Sequence, residues 1–407
     1  MDAHYRRLFN EAFSPAVYAR YCDRLARRLN VRFEFRLAES PVFLPADLRA
    51  RCTKAAAEIL EQLAEPANLK RMKEAIPEEW RSPRMDALPS FAQIDFAITR
   101  DADGRLVPRL VELQGFPSLT AFQVIQRDVW SEILSTLPGL NKDWSCWFSG
   151  LDRSRFLDLA RRAIVGNHDP KNVILMDIDP PTQKTFPDFA ATKKLFDVDA
   201  VCPTTLVRRG RKLYRREGHI EVKRIHTRVV FDELIRKNIR LPFRFTDDLD
   251  VEWAPHPNWF WTWSKQSMID LDHPAVPRTV LLSALKATPE DLSQRFVLKP
   301  LFSFAGGGVN VAPSKADLDR VPQPERSQWC LQEKLDYAPV IDAADGGQVK
   351  VEMRMMIFKV EGGPPVIAQN LCRLSRGKMM GVDFNKNFTW VGSSIALFES
   401  GEPESGN

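Results

Sequence analysis

The residues best suited to chemistry lie between positions 296 and 374. Val297-Leu298-Lys299-Pro300 has the form of a strand ending in a lysine, and Leu301-Phe302-Ser303-Phe304-Ala305-Gly306-Gly307-Gly308-Val309 follows as a glycine-bearing loop that re-enters a second strand. A fixed ammonium beside a backbone bare of side chains lets phosphate come close to N–H donors. The stretch therefore reads as a phosphate cradle, although a glycine-rich turn in a β-meander satisfies the same residues. No Gly-Lys-Ser/Thr follows, which excludes the P-loop, and a strand rather than a helix follows, which excludes the dinucleotide fingerprint. Trp329-Cys330-Leu331-Gln332-Glu333-Lys334-Leu335 runs apolar and then abruptly polar. That pattern suits a strand ending at a nucleotide, with backbone groups at the base and a carboxylate at the ribose hydroxyls. Across 349–360, a period of two puts Lys350, Glu352 and Arg354 on one face and Val349, Val351, Met353, Met355 and Ile357 on the other. A symmetric turn at Glu361-Gly362-Gly363-Pro364 sets Arg373 of the return strand opposite or diagonal to Glu352. Such a pair at the surface carries little energy.

The elements that must position these groups follow from apolar periodicity. Residues 1–90 are helical in pattern, with Leu48, Cys52, Ala55, Ile59 and Leu63 at three-to-four spacing after Pro45 and Asp47. The period then shortens, and strands at 91–99 and 105–113 join through the turn Asp101-Ala102-Asp103-Gly104. Beyond Gly115-Phe116-Pro117, one helix face gathers Phe122, Ile125, Val129, Ile133 and Leu137. Positions 151–235 read as a small α/β unit: helix 155–165, strand 173–178, helix 189–196, strand 198–202, then a basic hairpin. The last hundred residues read mainly as β, with strands at 296–300, 309–312 and 329–335 and a long hairpin at 349–374. The predicted class is α/β (α+β), divided at 1–150, 151–235 and 236–407.

Composition narrows the setting. The chain has 407 residues, 44% hydrophobic and 27% charged, the balance of an ordinary soluble globular protein. Lys and Arg total 58 against 53 Asp and Glu, and the surplus of +5 is too mild to require nucleic acid or a membrane surface. No window approaches the roughly 18 apolar residues of a membrane span, and the first residues lack the apolar core of a secretory signal. A cytoplasmic protein is expected. The six cysteines are far apart, with no C-x-x-C pair and no adjacent histidine, so free thiols are expected rather than a zinc site. Neither Ser-His-Asp nor Cys-His catalysis is supported.

Together these motifs resemble the ATP-grasp superfamily, and most closely its circularly permuted branch typified by glutathionylspermidine synthases. The likeness adds Ile94-Asp95-Phe96 and Val111-Glu112-Leu113-Gln114-Gly115-Phe116-Pro117-Ser118, similar to the family's metal strands, which precede the nucleotide lysines in that branch. It also takes in Ser264-Lys265, Lys299-Pro300, Gln332-Glu333-Lys334-Leu335 and Cys372-Arg373-Leu374. The resemblance implies an ATP-grasp fold, circularly permuted, with a helical N-terminal region and a pre-ATP-grasp-like α/β domain at 151–235. It implies ATP phosphates on Lys265 and Lys299 under a loop of Ser303, Gly306, Gly307 and Gly308, and adenine and ribose beside Gln332, Glu333, Lys334 and Leu335. Mg²⁺ would sit on Asp95, Glu112 and Gln114, with Arg373 neutralising the transferring phosphoryl group. Ser118 and Arg228 would face substrate. Two positions depart from the family pattern: Gln114 stands where it has Asn, and Gln93 where it has Arg, with Arg354 the candidate to replace that charge.

The expected activity is an ATP- and Mg²⁺-dependent carboxylate-amine ligase acting on small molecules through an acyl phosphate. A catalytically silent nucleotide-binding relative is the alternative that Gln93 and Gln114 suggest. The run Arg208-Arg209-Gly210-Arg211-Lys212-Leu213-Tyr214-Arg215-Arg216 could hold RNA, but with one aromatic it lacks a stacking ladder and reads as a solvated hairpin. Trp253, Trp259, Phe260, Trp261 and Trp263 read as interdomain packing or as a flat wall near Lys265. Asp177 and Asp179 end a predicted parallel strand, where α/β sheets often bind ligands and where a polar loop is equally at home.

Overall fold

A computed structural model describes residues 1–302, 307–377, 379–380 and 385–401. Helices α1 (Ala3–Ala12) and α2 (Pro15–Leu29) begin on Asp2 and Ser14, whose side chains accept from the N–H of Tyr5 and Val17. Such caps satisfy donors that a first helical turn leaves open, and Pro15 falls where no N–H is needed. Helix α3 (Ala46–Ala64) buries Leu48, Cys52, Ala55, Ile59 and Leu63 along one stripe, as their spacing predicts. Strands β1 (Phe91–Arg100) and β2 (Leu106–Gln114) form the expected antiparallel hairpin. Helix α4 (Thr120–Leu134) buries Phe122, Ile125, Val129 and Ile133.

The middle of the chain builds a parallel sheet. After helix α5 (Arg153–Ile164) come strand β3 (Val173–Met176), helix α6 (Phe186–Phe196) and strands β4 (Asp199–Val201), β5 (Arg224–Thr227) and β6 (Glu252–Trp253). Their order across the sheet is β6-β5-β3-β4. From β3 the chain goes first to one side and later returns to the other, so the carboxyl ends of β3 and β5 flank a topological switch point. The basic hairpin between β4 and β5 is neutralised locally. Arg208 meets Asp247 at 2.6 Å, Arg211 lies 2.9 Å from both Asp248 and Asp250, and Lys212 meets Glu221 at 3.0 Å. Arg215 departs from the solvated reading: it is buried and pairs with Asp199 at 2.7 Å.

Strands β7 (Thr279–Leu281), β8 (Phe296–Pro300) and β9 (Trp329–Glu333) make an antiparallel sheet in the order β7-β9-β8. The strand expected at 309–312 is not formed; it reduces to one bridge between Asn310 and Leu298. Pro313 follows at once and has no N–H with which to extend the ladder.

Strands β10 (Pro339–Asp342), β11 (Gln348–Phe358), β12 (Val366–Ser375) and β13 (Gly392–Ser394) complete the largest sheet. Among the described residues it has six strands, ordered β13-β12-β11-β1-β2 with β10 beside β11. The pairing of β11 with β1 sets Arg354 against Asp95, and the pairing with β12 sets Glu352 against Arg373. Glu352 and Arg354 are buried along with Val351 and Met353, so the polar face lies inside and the alternative of a surface pair at Glu352 does not hold. Trp259, Phe260, Trp261 and Trp263 are buried in packing. Gly115, just after β2, is needed there, since a Cβ on it would lie 2.1 Å from the carbonyl oxygen of Trp259. All six cysteines are free thiols, and no described helix is long and apolar enough to cross a membrane.

Candidate active site

The central sheet gathers one charged cluster from strands far apart in sequence. Asp95 on β1 is wholly enclosed, and its two carboxylate oxygens accept from Nε and Nη2 of Arg354 at 2.6 Å each. This is the planar, two-point match of guanidinium to carboxylate. Arg373 on β12 also donates to Asp95 and lies 2.9 Å from Glu352 Oε1. The other oxygen of Glu352 accepts from the Tyr337 hydroxyl at 2.5 Å.

Beside this cluster stands a second, built around β2. Glu112 pairs in register with Asp95, accepts from Gln114 Nε2 at 2.8 Å and lies 3.4 Å from Lys265 Nζ. Lys265 opens the short turn Lys265–Asp270, which Ser264 caps directly after the buried tryptophans. Lys299, near the end of β8, donates to Gln332 Oε1 on β9 and lies 3.5 Å from the Val111 carbonyl. Gln332 Nε2 is 3.5 Å from that carbonyl and from Met268 Sδ. Lys265, Lys299, Glu112, Asp95, Arg354 and Arg373 therefore converge, and Gln114 and Gln332 join them.

The fields in this cluster are strong because water is largely excluded. Burial pushes the Glu112 carboxyl up, but Lys265, Arg373, Arg354 and Lys299 outweigh it and hold it down at about 2. Burial, with Lys265 next to it, pushes the Lys299 ammonium down. Burial raises Glu352, against the opposing pull of Arg373. The four cations Lys265, Lys299, Arg354 and Arg373 face Asp95, Glu112 and Glu352, a formal balance of 4 − 3 = +1 with every group ionised.

That balance suits a polyphosphate better than a metal ion. Magnesium takes hard oxygens in near-octahedral geometry, yet both oxygens of Asp95 are committed to guanidinium groups. Gln114 turns its amide nitrogen toward Glu112. Among the described residues no group of three or more His, Cys, Asp or Glu side chains could hold a metal. The expected set of Asp95, Glu112 and Gln114 is brought together by strand pairing but does not fit a three-ligand magnesium cradle. The misfit has a physical cause: Arg354 arrives on β11 and engages both oxygens of the Asp95 carboxylate.

The remaining expected site residues are scattered. Gly307 and Gly308 are exposed; Gly308 has φ +73, and a Cβ on it would lie 3.0 Å from Pro300 Cγ. Ser303 and Gly306 lie outside the described residues. Glu333 and Leu335 are half-buried, whereas Lys334 is exposed and reaches the Ser293 carbonyl at 3.3 Å. Gln93 does not join the charged cluster; its Nε2 donates to the Ser118 carbonyl at 3.1 Å. Arg228 is buried at the end of β5. Sequence reasoning missed Tyr337, the Val111 carbonyl and Met268, none of which has a local pattern. Its placing of Glu352 on one face with Arg354 holds, and the alternative of a surface pair with Arg373 does not, since Glu352 is buried.

No protein-family model matches the chain, and no curated protein matches it. Among solved structures, a glutathione synthetase like-effector (GSS30) from Globodera pallida in its apo form is similar, with a TM-score of 0.59 and 13% identity over 97% of this chain and 97% of that chain. At that identity the likeness establishes the fold alone: the mixed α/β architecture of this chain is that of a glutathione synthetase-like protein.

Proposed function

We propose that this protein is an ATP-dependent carboxylate-amine ligase of the ATP-grasp kind, circularly permuted, with site regions at 1–150 and 236–407 and a substrate-side α/β unit at 151–235. The observation that carries the reading is the convergence of buried Lys265, Lys299 and Arg354 with half-buried Arg373 and Glu112 in one cluster of formally net positive charge. Bound ATP would supply the phosphoryl group that activates a small-molecule carboxylate for attack by an amine. Lys265 and Lys299 hold its phosphates, Gln332 orients Lys299, and Glu112 orients Lys265. Arg373 and Arg354 supply fixed positive charge where negative charge accumulates, and burial makes that charge effective. Gly307 and Gly308 leave the backbone free to approach. Magnesium, which the resemblance implies as cofactor, enters no step here, because Asp95 is already engaged. Free thiols and ATP use suit a cytoplasmic setting.

A second reading, a nucleotide-binding relative without turnover, is favoured by the closure of Asp95 between Arg354 and Arg373. The deciding experiment incubates the protein with ATP, Mg²⁺ and pooled amino acids and polyamines and measures ADP. Substrate-dependent ADP release, lost in Lys299→Ala and Glu112→Ala, is the expected result. ATP binding without ADP across the pools overturns the ligase and leaves the second reading; no ATP binding overturns both.

A further inference from the structure

We infer that the groove along the outer edge of β4 is a docking site for a short acidic peptide, which adds to the parallel sheet as an extra strand beside Ala200 while its carboxylates meet Lys194 and Arg216. The inference is independent of the ligase reading, because no residue lining the groove belongs to the charged cluster.

A cavity of about 980 Å³ lies between the end of α2, helix α6 and β4, within the span of about 300–1,000 Å³ usual for ligand sites. Its apolar wall comes from Leu29, Val31, Phe186, Phe189 and Val201. β4 is the last strand of its sheet, and among the described residues no strand pairs with its outer side. The Val201 carbonyl accepts from the N–H of Asp177 at 3.3 Å, so Val201 bonds inward. Bonding direction alternates along a strand, which turns the N–H and carbonyl of Ala200 outward. Neither group has a hydrogen-bond partner on that side among the described residues. An open donor and acceptor at an edge are the template that an extended backbone completes. The template is short: Cys202 gives its carbonyl to the N–H of Thr205 at 3.0 Å, and Pro203 has no N–H. Side chains must therefore supply much of the affinity.

The charges of the lining choose the sign of the partner. Arg28, Lys193, Lys194, Arg215 and Arg216 stand against Asp199 and Glu217, a formal 5 − 2 = +3. Some of these cations are already met: Arg28 pairs with Glu132 at 2.5 Å, Lys193 with Asp197 at 2.6 Å and Arg215 with Asp199 at 2.7 Å. Lys194 has no ion pair among the described residues. Arg216 reaches only the Asp199 carboxylate, at 3.6 Å, and Lys193 and Arg215 already share that group. Lys194 and Arg216 are both exposed, so they are free to meet an acidic side chain, with an attraction that salt screens.

Other occupants meet fewer of these requirements. A second copy of the chain paired edge to edge would bring two basic rims together. A simple anion accepts from the Ala200 N–H but brings no donor for its carbonyl. A peptide in which glutamates alternate with apolar residues presents carboxylates along one side and apolar groups along the other, because side chains two apart share a side of an extended chain. Such a peptide uses the edge, the wall and the rim together.

The test follows the fluorescence anisotropy of a labelled Glu-Val-Glu-Val-Glu peptide with wild type, with the double variant Lys194→Glu and Arg216→Glu, and with Ala200→Pro, alongside thermal melts. Proline is tolerated where an edge N–H faces outward, so Ala200→Pro removes the donor without a ladder bond. The same peptide N-methylated at every amide keeps the charges and has no N–H to give. The expected result is wild-type binding that weakens with salt and that falls at least tenfold in the double variant, in Ala200→Pro and for the N-methylated peptide. No wild-type binding, or equal affinity in the double variant or for the N-methylated peptide, overturns the docking site. Hydrogen exchange of the amides at 198–202 in wild type gives a readout that needs no variant to fold: the peptide should slow it, and unchanged exchange overturns strand addition. A dimer in sedimentation whose formation slows those same amides assigns the edge to a second copy and overturns the peptide.

Discussion

Asp95→Asn separates a clamp from a metal ligand by the sign of its effect. In the structure Asp95 is the shared anion of Arg354 and Arg373, with two contacts of 2.6 Å to Arg354 alone. Asparagine keeps the shape but removes the charge, leaving Arg354 buried without a counter-ion, whereas Arg373 retains Glu352 at 2.9 Å. Removing one partner of a buried pair costs about 3–5 kcal/mol. At about 2 °C or more per kcal/mol for a large domain, that is a fall in melting temperature of roughly 6 °C or more. The melt is run in EDTA, and Asp95→Leu with Arg354→Met, which replaces the pair by apolar groups, should recover most of the loss. Asp95 and Glu112 are register partners. Were they an open, metal-free ligand pair, their mutual repulsion would make Asp95→Asn neutral or stabilising. A melting temperature at or above wild type in EDTA, or a Mg²⁺-induced rise that Asp95→Asn abolishes, refutes the clamp.

Two further outcomes follow from the same cluster. Glu112 is held down at about 2 against its ordinary value of 4.5. A carboxyl lowered on folding adds stability that is complete above the unfolded value and is lost as pH falls through the folded one. Urea melts from about pH 5 down to about pH 2 should therefore fall more steeply for wild type than for Glu112→Gln, and parallel curves would contradict the assignment. Gly115→Ala places a methyl 2.1 Å from the Trp259 carbonyl oxygen, which only a backbone shift can relieve. It should destabilise by about 1–3 kcal/mol and weaken ATP binding through displaced Lys265, whereas Gly363→Ala, with its nearest atom at 3.5 Å, should do neither; melts and nucleotide titration read both.

What could be read from the sequence divides by range. Lys299 was legible because a strand, a lysine and a glycine run are adjacent, and the register of Glu352 with Arg373 followed from one hairpin. The strand expected at 309–312 failed for an equally local reason, the proline at 313, that the apolar residues before it concealed. The Arg354–Asp95 lock is of another kind, since its partners are 259 positions apart and meet only when β11 pairs with β1. A period of two shows that Arg354 shares a face with Glu352, but not which strand stands opposite, nor that Tyr337 meets that face. Burial makes removal of one partner alone cost several kcal/mol, and it also decides what Asp95 can no longer do. Arg228 obeys the same logic in reverse. The strand before it was legible, but the absence of a hydrogen bond or ion pair on its guanidinium among the described residues depends on where the oxygens of Asp177 and Asp188 are committed, and only the assembled α4, α6 and parallel sheet determine that. In this fold, then, a residue's type announces the chemistry it can do, and long-range pairing decides which residues remain free to do it.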